Sequence, residues 1–146
     1  MEIKSIILGT VDVEEEQIFR FQRGLYGLED YQNFALIVPD STLPFAYLQA
    51  VEEPGVCLLL ADPFQFYPHY AFDLAQTELD RLQASSPELI AAWTTVTTPR
   101  ETLEGATLNL LAPIVLNVQA RLGCQVVLHD SGYDTKSPLF PAQKEE

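Results

Sequence analysis

Positive charge is scarce in this chain. Eight Lys and Arg side chains stand against 21 Asp and Glu, a formal net charge of -13 at pH 7. A nucleic-acid binder needs clustered cations to neutralise phosphates, so direct binding of nucleic acid is disfavoured. An anionic membrane surface is disfavoured for the same reason. Histidine is equally sparse, and neither His69 nor His129 has a neighbouring nucleophile at the spacing of a catalytic motif. The two cysteines, Cys57 and Cys124, sit inside apolar runs and outside any Cys-x-x-Cys pair. Buried reduced thiols are expected, and a disulfide would require their strands to be neighbours. Metal-ligand spacings are lacking too, so no metal or cofactor is expected. Gly24 and Gly27 do not open a helix bearing Lys-Ser/Thr, so they are not a phosphate loop. No apolar stretch approaches the roughly 18 residues of a membrane span. The opening Met1-Glu2-Ile3-Lys4-Ser5 does not read as a secretory leader, and the expected compartment is the cytoplasm.

What the chain does contain is hydrophobic pattern. With 146 residues, 47% of them hydrophobic and 20% charged, it has a globular balance and the length of one domain. A chain of that size buries roughly two-thirds of its unfolded surface, enough for a single core. Short apolar, β-branched runs alternate with turn residues. The expected strands are Ile3–Leu8, Val11–Val13, Ile18–Phe21, Phe34–Val38, Phe45–Val51, Val56–Ala61, Ala91–Thr98, Thr107–Leu111, Ile114–Val118 and Gln125–His129. Gly9-Thr10 is read as a turn, and Ala120–Gly123 as a hairpin-like connection. Val56–Ala61, almost wholly apolar, is expected to be buried on both faces. Pro113 marks a bend or an edge.

One helix is expected near Thr77, the expected N-cap, with Leu79 and Leu82 on its apolar face. Ser86-Pro87-Glu88 caps a further short turn. The fold class is therefore mostly β: a small closed or nearly closed antiparallel barrel of short strands with one or two short helices. It is expected to occupy residues 1–141 as one domain, with 142–146 frayed.

Two features invite a functional reading. Carboxylate pairs such as Glu14/Glu16 and Glu52/Glu53 fall in expected turns, where solvated charge is the ordinary outcome. The segment Phe64-Gln65-Phe66-Tyr67-Pro68-His69-Tyr70 follows Asp62-Pro63 as an aromatic loop. Large rigid rings lose little entropy on binding and make good partner anchors. Phe64 and Phe66 are expected to plug the barrel end. Tyr67 and Tyr70, with polar tips, are the better surface candidates.

Several motifs together resemble one family, the FliW flagellar assembly factors of bacteria. They begin at Phe21-Gln22-Arg23-Gly24-Leu25-Tyr26-Gly27-Leu28-Glu29 and continue through Pro44-Phe45, Leu48-Gln49 and Glu52-Glu53-Pro54. Asp62-Pro63-Phe64 with Phe66 and Tyr70 follows, then Val96-Thr97-Thr98-Pro99. Asn109-Leu110-Leu111-Ala112-Pro113-Ile114-Val115-Leu116-Asn117 is among the most specific blocks. Gly123-Cys124-Gln125-Val126-Val127-Leu128 and Tyr133-Asp134-Thr135-Lys136-Ser137-Pro138-Leu139 complete the set. The chain departs from the family at Ser137, where His is usual before Pro-Leu, and at Ala46-Tyr47, which replaces a bulkier apolar-Trp pairing.

The resemblance implies a non-enzymatic regulator with two alternative protein partners. One is CsrA, a basic homodimeric RNA-binding repressor of translation. The other is the C-terminal region of newly made flagellin. Flagellin that accumulates would draw the protein away and free CsrA to repress flagellin mRNA. A charge of -13 beside a basic RNA-binding surface would repel RNA at short range and low salt. The expected contact surface holds Asp62, Phe64, Tyr67 and Tyr70, with Glu52, Glu53, Asn109 and Pro113. Each of these also has a purely structural reading; Asn109 and Asn117, for instance, can satisfy turn backbone. Two alternatives stand beside this one: a flagellin chaperone with no link to CsrA, and a barrel hydrolase using Asp62 and His69.

Overall fold

The structure, a computed structural model, describes residues 1–99 and 104–140. The expected frayed tail at 142–146 lies outside the described residues, as do residues 100–103 of Pro99–Gly105, a stretch whose sequence reads as an acidic turn.

The chain opens with a hairpin of β1 (Glu2–Ser5) and β2 (Gly9–Asp12), a two-stranded sheet of its own. The first strand is shorter than expected because the Ser5 hydroxyl turns the chain. Its Oγ accepts from the Ile7 and Leu8 amides at 3.1 and 3.0 Å. The turn therefore falls at residues 6–8, and Gly9, at φ +78°, already starts the return strand.

The remaining strands are β3 (Ile18–Arg20), β4 (Asn33–Ile37), β5 (Phe45–Ala50), β6 (Cys57–Ala61), β7 (Ile90–Thr97), β8 (Thr107–Leu108), β9 (Ile114–Asn117), β10 (Leu122–Gln125) and β11 (Ser137–Pro138). The order β7-β6-β5-β4-β3-β10-β9 returns on itself, because β9 also pairs with β7. Seven strands thus close into a barrel, which removes the exposed sheet edges. All pairings are antiparallel except β3 with β10, which meet in parallel at Arg20 and Leu122. β8 and β11 extend the far part of β7.

Alternation along the strands sorts side chains between two larger cores and a smaller one under the hairpin. Phe21, Phe34, Leu48, Leu60, Ile114 and Leu116 fill one of the larger pair. Val115 on β9 and Ala61 on β6 join the other, with Leu82, Leu108 and Leu139. β6 corrects an expectation: Leu60 and Ala61 are buried, but Cys57, Leu58 and Leu59 are only partly covered. Ala46 lies fully inside the first core, and Tyr47 packs against the hairpin with Ala35 and Ile37. Both cysteines are free thiols and half-buried.

Local polar groups account for the other shifts. The last strand falls at Leu122–Gln125 and not at the expected Gln125–His129, starting three residues earlier and ending four earlier. Asn117, fully buried, accepts from the Gln119 and Ala120 amides at 3.0 and 3.1 Å and so forms the β9–β10 turn. Residues 126–128 run extended beside 111–113 with isolated bonds, Val126 N to Pro113 O and Leu128 N to Leu111 O. Pro113 has no amide to donate, so the ladder stops there. Asn109 Oδ1 accepts from the Ala112 amide at 3.0 Å, which ends β8 after two residues.

The helices are α1 (Pro63–Phe66) and α2 (Gln76–Arg81). α1 corrects the reading of that segment as a loop. The Asp62 carboxylate caps it, accepting from the Phe64 amide at 3.0 Å, and Pro63 takes the first helical position. α2 begins before Thr77. Ala75 stands at its cap, and the Glu78 side chain reaches back to the Ala75 amide at 2.7 Å. The Ser86 cap forms as expected, with its Oγ accepting from Glu88 N at 3.1 Å.

Candidate functional site

α1 carries the aromatic segment onto the barrel's flank, where it builds an aromatic cap from two groups of rings. Phe66 lies 5.7 Å from Phe45 and 6.3 Å from Phe140. Tyr70 gathers three further rings: Phe64 at 5.7 Å, Phe72 at 5.4 Å and Tyr133 at 4.7 Å. These tilted and edge-on contacts are the favoured geometries for aromatic quadrupoles. Two hydroxyls pin the cap to the following chain. Tyr67 donates to the Pro138 carbonyl, and Tyr70 donates to the Leu110 carbonyl at 2.7 Å. Tyr133 Oη accepts from the Ala71 amide at 3.1 Å.

The expected roles within the cap are partly exchanged. Tyr70 is buried, at 4% exposure, and its phenol is pushed well above the ordinary range by desolvation and then by Tyr133. It is a core strut, not a surface contact. Phe64, expected as a plug, is 42% exposed. Tyr67 is half-buried, and desolvation raises its phenol. Phe140, which no sequence motif singled out, is 59% exposed and meets Phe66 edge-on. Its only sequence signal is an aromatic directly after Pro138-Leu139.

The other candidates do not join this cap. Glu52 and Glu53 occupy the β5–β6 turn, at the opposite end of β6 from Asp62. Glu52 accepts from Asn33 Nδ2 at 2.7 Å, and Glu53 accepts from the Gly55 amide at 3.0 Å. Asn109 is half-exposed and committed to its turn, and Pro113 is buried. Ser137 lies on β11 opposite Leu108.

The acidity is spread over the surface, with one dense region. Glu2 stands directly across from Asp12 in the hairpin register, and Glu14, Glu15 and Glu16 follow in exposed positions. Two ion pairs lie in this region: Asp12 with the N-terminal amine at 3.2 Å and Glu15 with Arg121 at 3.8 Å.

No catalytic geometry emerges for Asp62 and His69. The Asp62 carboxylate is spent on the helix cap, and His69 lies on open surface. Among the described residues no cluster of His, Cys, Asp or Glu could hold a metal ion. No described helix is long and apolar enough to cross a membrane.

Fold and surface together define a small closed seven-strand barrel with an aromatic cap on its flank and a broadly acidic exterior. Comparison with known proteins makes the assignment specific. The family model described as FliW protein matches residues 2–139. The flagellar assembly factor FliW of Syntrophomonas wolfei is 38% identical over 147 aligned positions, covering 100% of this chain and 94% of its own length. That of a Geobacillus species is 37% identical, covering 97% and 96%. A crystal structure of the flagellar assembly factor FliW superposes with a TM-score of 0.89 at 34% identity, covering 98% of this chain and 99% of its own. The chain belongs to the FliW family of flagellar assembly factors.

Proposed function

We propose that this protein is a non-enzymatic cytoplasmic regulator that binds the repressor CsrA and, alternatively, the C-terminal region of flagellin. Bound to CsrA, it keeps RNA away; bound to flagellin, it releases CsrA to repress. The observation that carries this reading is full-length family membership in a protein whose exterior is anionic. Negative potential beside a basic RNA-binding surface opposes phosphates at short range without filling the base-reading site. The exposed carboxylates around Glu2, Asp12 and Glu14 to Glu16 are the densest source of that potential. Exposed Phe64 and Phe140 supply apolar contact area of the kind a partner interface uses.

Affinity capture from lysate of the source organism tests it, with bound proteins identified by mass spectrometry. Recovery of CsrA and flagellin in separate complexes is the expected result. Recovery of flagellin alone would favour a chaperone without a role in RNA control, and recovery of neither would overturn the reading.

A further inference from the structure

The scarce cations of this chain are not scattered. Arg20 on β3, Arg23 in the two-glycine loop of Gly24 and Gly27, and Arg81 at the end of α2 line one cleft of about 280 Å³. That is three of the eight Lys and Arg residues in a chain of charge -13. Among the described residues none of the three forms an ion pair. The cleft's one acid is Glu29, whose carboxylate accepts from the Gly27 amide at 3.1 Å.

The cleft is held by committed contacts. The Gln125 side chain accepts from Tyr26 N at 3.0 Å and donates to the Ala112 carbonyl at 3.0 Å, tying the two-glycine loop to β10. Asn117 Nδ2 donates to the Leu82 carbonyl at 2.8 Å, which fixes the end of α2 beside the β9–β10 hairpin. The parallel contact of Arg20 with Leu122 sets the third wall. Three exposed arginines from three separate elements therefore line the same cleft.

Arginines that line one cleft without ion-pair partners repel one another, and an oxyanion relieves that repulsion while accepting their forked donors. Tyr26, 63% exposed, stands beside them, and Tyr and Arg are the residue types that dominate protein hot spots. We propose that this cleft receives a carboxylate side chain from an acidic segment of a protein partner. The proposal goes beyond the regulator reading, because a basic partner surface would be repelled from this site and must dock elsewhere. Long nucleic acid is disfavoured, since its remaining phosphates would meet the surrounding anionic surface.

The test is fluorescence anisotropy of a labelled hexaglutamate peptide with the full chain at about 0.15 M salt, where the Debye length of ~8 Å screens distant carboxylates but not contacts within the cleft. The wild-type chain is expected to bind. Binding should fall at least tenfold in the R20Q/R23Q/R81Q variant, stay unchanged in Lys136→Gln, and be displaced by inorganic phosphate. If the triple variant loses thermal stability, Arg23→Gln alone, in an exposed loop, should still weaken binding severalfold. Phosphate binding with no peptide binding would assign the cleft to a free small anion and overturn the peptide proposal. Peptide binding that the arginine variants leave intact, or a single-stranded oligonucleotide that binds more tightly than the peptide, would overturn it as well.

Discussion

Gly123→Ala probes the tightest approach at any glycine among the described residues. A Cβ at this position would lie 2.5 and 2.6 Å from the Phe21 ring and 2.8 Å from Leu116 Cδ2. Carbon contacts are optimal at about 3.5–4.0 Å, so the overlap is roughly 1 Å. Phe21 has no room to yield: it is fully buried and meets Phe34 edge-on at 5.4 Å. The backbone of Gly123 lies outside the left-handed region, so the penalty is steric. Overpacking of this kind costs about 1–3 kcal/mol. For a chain of this size each kcal/mol lowers Tm by roughly 3 °C, so a drop of about 3–9 °C is expected by differential scanning calorimetry. Combining the change with Phe21→Leu should recover part of the loss, as residues sharing one space couple. A Tm within about 1 °C of wild type would refute the packing argument.

Four further outcomes follow from the same structure. Tyr70→Phe leaves the buried Leu110 carbonyl without its phenol donor and should cost about 1–2 kcal/mol in urea unfolding. Asp62→Ala removes the α1 cap and should cost about 1 kcal/mol, measured the same way. Tyr67→Ala removes a half-buried ring and its hydrogen bond to the Pro138 carbonyl, so it should lower stability in urea as well as weaken capture of CsrA or flagellin; unchanged capture by the folded variant would make Tyr67 structural only. Burial first, and Glu78 second, raise the Cys124 thiol from 9.0 to about 11, with Arg81 opposing. Its neutral form therefore adds stability below pH 9 that is lost as pH rises through about 11, and native iodoacetamide labelling at pH 8 should be slow. Rapid labelling of Cys124 at pH 8 would contradict that burial.

Strand existence was legible because β-branched runs such as Phe34–Val38 and Ile114–Val118 tolerate few alternatives. Their ends were not, because one side chain decides each of them. Ser5, Asn109 and Asn117 capture nearby amides, and that competition depends on geometry that propensity does not encode. α1 is too short for helical periodicity to show, although Asp62-Pro63 already carried its cap and first-turn signals. The exchange of roles between Phe64 and Tyr70 has a similar cause. A phenol suits the surface only while its hydroxyl lacks a buried acceptor, and the Leu110 carbonyl, 40 residues away, provides one. The arginine cleft was invisible for the plainest reason: Arg20 and Arg81 line one cleft only because the barrel closes and Asn117 anchors α2.

The acidic surface now has a physical setting: carboxylates spread over the exterior, densest at the hairpin and the turn that follows it. The most direct measurement is release of labelled flagellin-leader RNA from CsrA by a saturating amount of this protein, followed by anisotropy across ionic strength. The account predicts release at low salt that weakens as salt rises, after correction for the salt dependence of CsrA–RNA binding alone. Release that stays constant across salt, or no release at any salt, would contradict it.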